Sequence, residues 1–227
     1  MPLLTTGAGA YRAAGGGGGG SVTWSYKTTA SGGGGGTSAT FTGVGIGATV
    51  SSDIVVLIVS ADVGVPTSMT ITDSGGTPQS ATLAGQDNSG VNNFSMWYLS
   101  GFTLGATSTV VINASGGSLF NSAFNVGVIS GSSHPTPTFT NTVASNSDPT
   151  SISGTIPTGG IGIVGLAIAS NPAGSWSNAT QESGQPVNPS GFQWMAHTAT
   201  GTGATITPTY GATGSNQSHL IMGIWGP

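Results

Sequence analysis

"DIVVLIVS", residues 53–60, decides how the chain folds. Ile54 to Val59 form an unbroken apolar run bounded by an aspartate and a serine. The run is far shorter than the ~20 residues a membrane helix requires. Its β-branched valines and isoleucines favour a strand. A strand with one wet face alternates apolar and polar residues, so a continuous run reads as a strand buried on both faces. "GIVGLAIA" (162–169) and "HLIMGIW" (219–225) have the same character. These three are expected to be central strands, covered on both sides by the chain itself or on one side by a neighbouring subunit.

Outward from them, strand signals recur and helix signals are nearly absent. "SVTWSYKT", "SMTITD", "NFSMWYLS", "TSTVVINA" and "FQWMAHTA" are short, β-branched or aromatic, and separated by Gly, Pro, Asn, Asp and Ser. One glutamate and one lysine leave no charged helix face. The expected fold is all-β, an antiparallel β-sandwich of jelly-roll or lectin-like type. "SMTITDSGGTPQSATL" reads as a half-exposed hairpin turning at "DSGG", and "WYLSGFTLGATSTVVINA" shows the same grammar. "SGSSHPTPTFTNTVASNSDPTS" (130–151) and "SNPAGSWSNATQESGQPVNPSG" (170–191) read as surface loops; Pro172, Pro186 and Pro189 forbid a central strand in the second. No internal repeat of fixed period is visible.

Charged residues make up 4% of the chain against about 25% in ordinary soluble domains. Arg12 and Lys27 are the only basic side chains apart from histidines; Asp53, Asp62, Asp73, Asp87, Asp148 and Glu182 are the only acids. Two cations cannot neutralise a phosphate backbone, so no nucleic-acid partner is expected. No basic cluster faces an anionic membrane, and no membrane insertion is expected. "MPLLTTGAGAYRAA" lacks a basic stretch followed by an apolar one and is not expected to be a secretory signal. Without cysteine there are no disulfides or thiolate zinc sites. So sparse a charge means that Ser, Thr, Asn and Gly carry solubility, or that partners cover much of the surface.

No catalytic pattern emerges. Asp73 ("TDSGG") and Asp87 ("GQDNSG") flank one expected hairpin, but both sit in turn contexts where aspartate caps its own backbone. His134, His197 and His219 have no metal-ligand spacing, and "GVGIGA" at Gly43 has no following helix to form a nucleotide site. No cofactor and no metal are expected. Aromatics are the better candidates for recognition. Trp97 and Trp194 suit the core, whereas Trp176 stands in a polar loop where Asn178, Gln181 and Glu182 supply hydrogen-bonding groups for a glycan platform.

Residues 1–36 hold two glycine tracts, Gly15 to Gly20 and Gly32 to Gly36. Ordering each residue costs about 1–2 kcal/mol, and glycine has no side chain to bury in return. The tracts therefore act as a flexible tether or as a stem held by neighbouring chains. Either way this segment, with Tyr11, Arg12, Trp24 and Tyr26, is expected to be an anchoring arm preceding one β-sandwich domain over residues 37–227.

The opening "MPLLTTGAGAYRAA", the Gly/Ser/Thr-rich β body and the ending "SHLIMGIWGP" together resemble small structural proteins of tailed bacteriophages and prophages. The resemblance implies a non-enzymatic capsid decoration, head-fibre or tail-associated protein, assembled in the host cytoplasm and carried on the virion. It implies a homotrimer or other homo-oligomer attached to capsid or tail proteins through its arm. The alternative is a carbohydrate-binding module for host surface glycans.

Overall fold

The fold follows from which strands are apolar on both faces. In the computed structural model, the described residues are 21–32, 36–88, 93–119, 121–145, 150–168, 174–188, 191–212 and 218–227. They contain no helix. The first half carries β1 (Thr23–Gly32), β2 (Ser38–Val44), β3 (Ile54–Ala61), β4 (Val65–Thr72), β5 (Pro78–Ser80), β6 (Thr82–Asp87), β7 (Asn93–Ser100), β8 (Ser108–Ser115) and β9 (Ser122–Ser130). The second carries β10 (Phe139–Ser145), β11 (Thr150–Ser151), β12 (Gly154–Thr155), β13 (Ile161–Ile168), β14 (Gly174–Ser177), β15 (Thr180–Asn188), β16 (Gly191–His197), β17 (Thr205–Ile206), β18 (Thr209–Ala212) and β19 (Ser218–Trp225).

The pairing is nested. β1 pairs with β9, β2 with β8, β3 with β7 and β4 with β5, all antiparallel. This is one long hairpin rolled into two sheets, the jelly roll. Its inner sheet has the order β1-β9-β3-β7-β6 and its outer sheet β2-β8-β4-β5. The second half repeats the scheme, with β10 on β19, β11 on β18, β12 on β17 and β13 on β16. Its five-stranded sheet, β10-β19-β13-β16-β15, matches the first strand for strand, and the small sheets β11-β18-β14 and β12-β17 form its outer layer. The absence of a fixed period in the sequence thus conceals a duplicated fold: the two rolls differ in loop length. One sandwich over residues 37–227 was expected, and the described residues form two.

The rolls stack through their five-stranded sheets, giving four layers and three cores. Along β3, Val55, Leu57 and Val59 face the first roll's own core, while Ile54, Val56 and Ile58 face the second roll. β13 alternates in the same way: Ile161 and Ile163 enter the shared central core, and Val164, Leu166 and Ile168 enter the second roll's own. Both faces of the apolar strands are therefore covered within one chain. Trp97 and Tyr98 lie in different cores, as alternation requires, and Trp97 and Trp194 are buried.

Several loop expectations are corrected. Residues 139–145, read as loop, form β10, whose seven residues pair with β19. Residues 174–177 and 180–188 form β14 and β15. β15 is an edge strand whose register shifts between Pro186 and Asn188, which accommodates the proline. Pro172 and Pro189 lie outside the described residues. β7 and β8 do not form a hairpin; the chain crosses between them from inner to outer sheet. In the expected arm, Tyr11, Arg12 and the first glycine tract lie outside the described residues, as do Gly33 to Gly35. Trp24 and Tyr26 do not belong to a separate arm: β1 is an integral edge strand, and Val22 before it is buried in the central core.

Close approach of the two rolls depends on small residues. A Cβ on Gly165 would lie 2.7 Å from Ile58 Cγ2 and 2.8 Å from Phe94 Cζ, both on the opposite roll and both fully buried. Gly165→Val is expected to destabilise the protein by about 1–3 kcal/mol through overpacking. Gly211→Ala, whose Cβ meets nothing within 4 Å, is expected to be near neutral. Urea unfolding midpoints check both.

Candidate functional site

Four ionisable side chains, Asp87, Glu182, His197 and His219, lie at the seam between the rolls. Glu182 on β15 and His197 on β16 belong to the second roll, and Trp24 on β1 belongs to the first. Trp24 Nε1–H donates to Glu182 Oε1 at 2.9 Å. His197 Nδ1 lies 2.6 Å from the same oxygen without forming a hydrogen bond to it. Glu182 and His197 side chains retain 18% and 26% exposure. The Trp24 indole is fixed by its surroundings: it covers Gly127 of β9 so closely that any Cβ there would clash with the ring. Its centroid is 6.5 Å from that of His197.

Beside this cluster opens a cleft of about 380 Å³ to which both rolls contribute. Thr23 and Trp24 form one wall; His197, Thr198 and Thr200 form the other, with Ile161 also lining the cleft. Thr198 is buried, accepts a hydrogen bond from Gly162 N at 3.0 Å and donates to Ala199 O at 2.9 Å. Val22 N donates to Gly159 O at 2.8 Å, tying the start of β1 to the second roll beside the cleft.

Three further hydrogen bonds cross the seam. His219 Nδ1 meets Asp87 Oδ2 at 2.8 Å, with side chains 5% and 10% exposed. Asp87 is thus a part-buried partner of the opposite roll. Gln193 Nε2 donates to Ile58 O at 2.7 Å and to Asn125 Oδ1 at 2.6 Å, both on the first roll. Buried amides of this kind fix register, because a shifted packing would strand them without partners.

The residues expected to form a glycan platform make separate contacts. Trp176 is half-buried, its ring 5.4 Å from Tyr210 at 62°, and it packs against the second roll's own core. Asn178 sits in the β14–β15 turn with φ of 58°, the sole positive value among described non-glycine residues, and donates from Nδ2 to Thr207 O at 3.0 Å. Gln181 is exposed on β15. Asn178 lines a cleft with Ala179, Thr180, Ala199 and Ile206, while Glu182 turns to the seam, where its aromatic neighbour is Trp24. Sequence reasoning missed this grouping because Trp24 and Glu182 are 158 residues apart. The available signal was the occurrence of Glu182 and His197 around one β15–β16 hairpin, where Thr180 pairs with His197.

Asp73 behaves as a turn residue. Its carboxylate accepts from Gly75 N and Thr77 N, each at 2.9 Å, and from Gln79 Nε2 at 2.7 Å. Asp73 and Asp87 thus serve different layers, the outer sheet's turn and the seam. His134 lies in the segment joining the rolls, apart from the seam histidines, with Ser133 Oγ at 3.2 Å from its Nδ1. Among the described residues no three His, Cys, Asp or Glu side chains gather at metal-binding range. Comparison with known proteins gives no match to any protein-family model, any curated protein or any solved structure.

The bond from Thr77 N, followed by that from Gln79, holds the Asp73 carboxyl below the ordinary value of 3.8. Since its folded pKa lies below its unfolded one, the carboxylate stabilises the protein above the ordinary Asp range. That contribution is lost as pH falls through the lowered value. Asp73→Asn is expected to flatten the acid limb of the stability profile, as measured by denaturant midpoints across that range. At the seam, Glu182→Ala is expected to cost about 1–3 kcal/mol by leaving the Trp24 N–H without its acceptor. It should also speed exchange of the Trp24 indole proton, followed by NMR.

Proposed function

We propose that this chain is a non-enzymatic structural protein of a bacteriophage particle, a capsid decoration, head-fibre or tail-associated component assembled in the host cytoplasm and carried on the virion. The observation that carries the reading is the pair of face-to-face jelly rolls in a chain with so little charge. Jelly rolls recur in viral capsids and lectins. Sparse charge is a liability for a protein dispersed alone, and is tolerable for one held in place by neighbours. Because the apolar strands are covered in cis, oligomerisation would use the outer surfaces or the segment before β1, and not the apolar sheet faces first suggested for it. Capsid or tail proteins are the proposed partners, with the protein itself a homotrimer or other homo-oligomer.

β1 belongs to the fold, so the segment to test as an attachment element ends before it. Removal of residues 1–20 is expected to leave a β-sheet circular dichroism spectrum and a cooperative thermal transition. It should abolish co-sedimentation with particles released by the strain carrying the coding sequence, in which mass spectrometry should find the intact chain. Failure to find the chain in purified particles would overturn the proposal, and binding by the shortened chain would overturn attachment through that segment.

A further inference from the structure

We infer that the polar end of the seam is a binding site for internal water, enclosed between two facing rows of side chains, independently of any place on a particle. On the second roll the row is His219, Ala167 and Gln193. Both flanking residues pair with Ala167, which faces the shared central core, and both reach the first roll. On the first roll the row is Asp87, Phe94 and Ser60, paired in that order across β6, β7 and β3. Ser60 continues the seam-facing series Ile54, Val56 and Ile58, since Val59 and Ala61 on either side of it enter the first roll's own core. The bond from His219 to Asp87 joins the two rows directly.

Hydrogen-bonding capacity is left over in these rows. Gln193 Oε1, His219 Nε2 and Ser60 Oγ are buried and have no hydrogen-bond partner among the described residues. The Gln193 amide cannot be reversed, because Nε2 donates to Ile58 O and a turned amide would set Oε1 against that carbonyl. Since Asp87 occupies Nδ1 of His219, Nε2 is the end of the ring still to be satisfied. Buried polar atoms are satisfied by the protein or by ordered water, and an orphaned one carries its full desolvation cost.

The chemistry of the three atoms selects the ligand. One is an amide oxygen that only accepts, one a ring nitrogen that accepts when the imidazole is neutral, and one a hydroxyl that does both. Water donates and accepts, and an internal water serves about two to four such groups. A metal ion lacks a ligand set, since no three His, Cys, Asp or Glu side chains gather among the described residues. The residues carrying the orphaned atoms are no more than 4% exposed, which suits a molecule as small as water. Room comes from the middle of each row. Ala167 is the smallest side chain of its row, and the Phe94 ring reaches toward Gly165, two residues earlier on β13.

The test is magnetic resonance on the isotope-labelled full chain. Water-selective Overhauser and rotating-frame spectra are expected to show transfer from water to the Gln193 side-chain amide protons and the His219 ring C–H protons. Its sign should be that of a contact outlasting molecular tumbling. Oxygen-17 relaxation dispersion of the solvent, which sees water alone, should register long-lived water in the same sample. Ser60→Ala and Gln193→Met should each lower the dispersion amplitude by the share of at least a single water molecule. Asn178→Ala, on the surface, should leave it unchanged. If Gln193→Met does not fold, Ser60→Ala decides, and if neither folds, the transfer spectra of the unaltered chain decide. The inference is overturned if the Gln193 and His219 protons show no long-lived transfer from water, or if both variants keep the full amplitude. A crystal structure with closely packed side chains or a metal ion between the rows would equally overturn it.

Discussion

A β-sheet that is apolar on both faces must be covered on both sides, and this single requirement organises the molecule. β3, β13 and β19 carry large apolar side chains on both faces, so each projects one set into its own roll and the other toward the opposite roll. Burying such side chains stabilises by roughly 1.5–3 kcal/mol each. Leaving either set in water would expose a broad apolar patch on each half. Stacking the two inner sheets removes both patches at once, and only four large apolar side chains among the described residues remain exposed: Val50, Val63, Leu83 and Phe102.

The stacking is made specific by what interrupts it. Gly165 and Gly223 open space on the second roll's inner face for Ile58, Phe94 and Met96 of the first. Gln193 Nε2, buried at the same interface, meets Asn125 Oδ1 and Ile58 O only in one register. At the margins, Asp87 with His219 and Glu182 with His197 and Trp24 place polar partners where the edge strands of one roll pass the sheet of the other. Register shifts in edge strands β1, β2, β6 and β15 break the regular ladder that an exposed edge would otherwise offer to another chain. The chain thus spends few of its ionisable groups on solvent and several on aligning its halves. The seam cleft is a by-product of that alignment, since neither roll alone possesses both of its walls.

Much of the layer structure was legible in the sequence. Continuous apolar runs announced strands buried on both faces, Asp73 in "TDSGG" announced a turn, and alternation divided Trp97 from Tyr98. The loops were misread because Gly, Ser, Pro and Thr also serve as edge-strand residues, as in β10, β14 and β15, where one face or one edge is wet and the apolar signal is weak. The duplication was hidden because a jelly roll is defined by nested long-range pairing, which tolerates loops of unequal length. With the fold in hand its trace is visible: "VGVISG" ends the first roll and "MGIWG" the second, each placing a glycine against a tryptophan ring, Gly127 under Trp24 and Gly223 beside Trp225.

Sequence alone determined the all-β class, the identity of the central strands and the scarcity of charge, because these depend on side-chain chemistry and a period of two residues. Only the tertiary structure decided that the second face of each central strand is covered by the chain's own other half. It also decided that Glu182 belongs with Trp24 instead of Trp176, and that Asp87 faces His219. Those outcomes depend on which distant strands lie across a sheet-to-sheet contact, and that is set by the collective fit of two whole surfaces, not by any local run of residues.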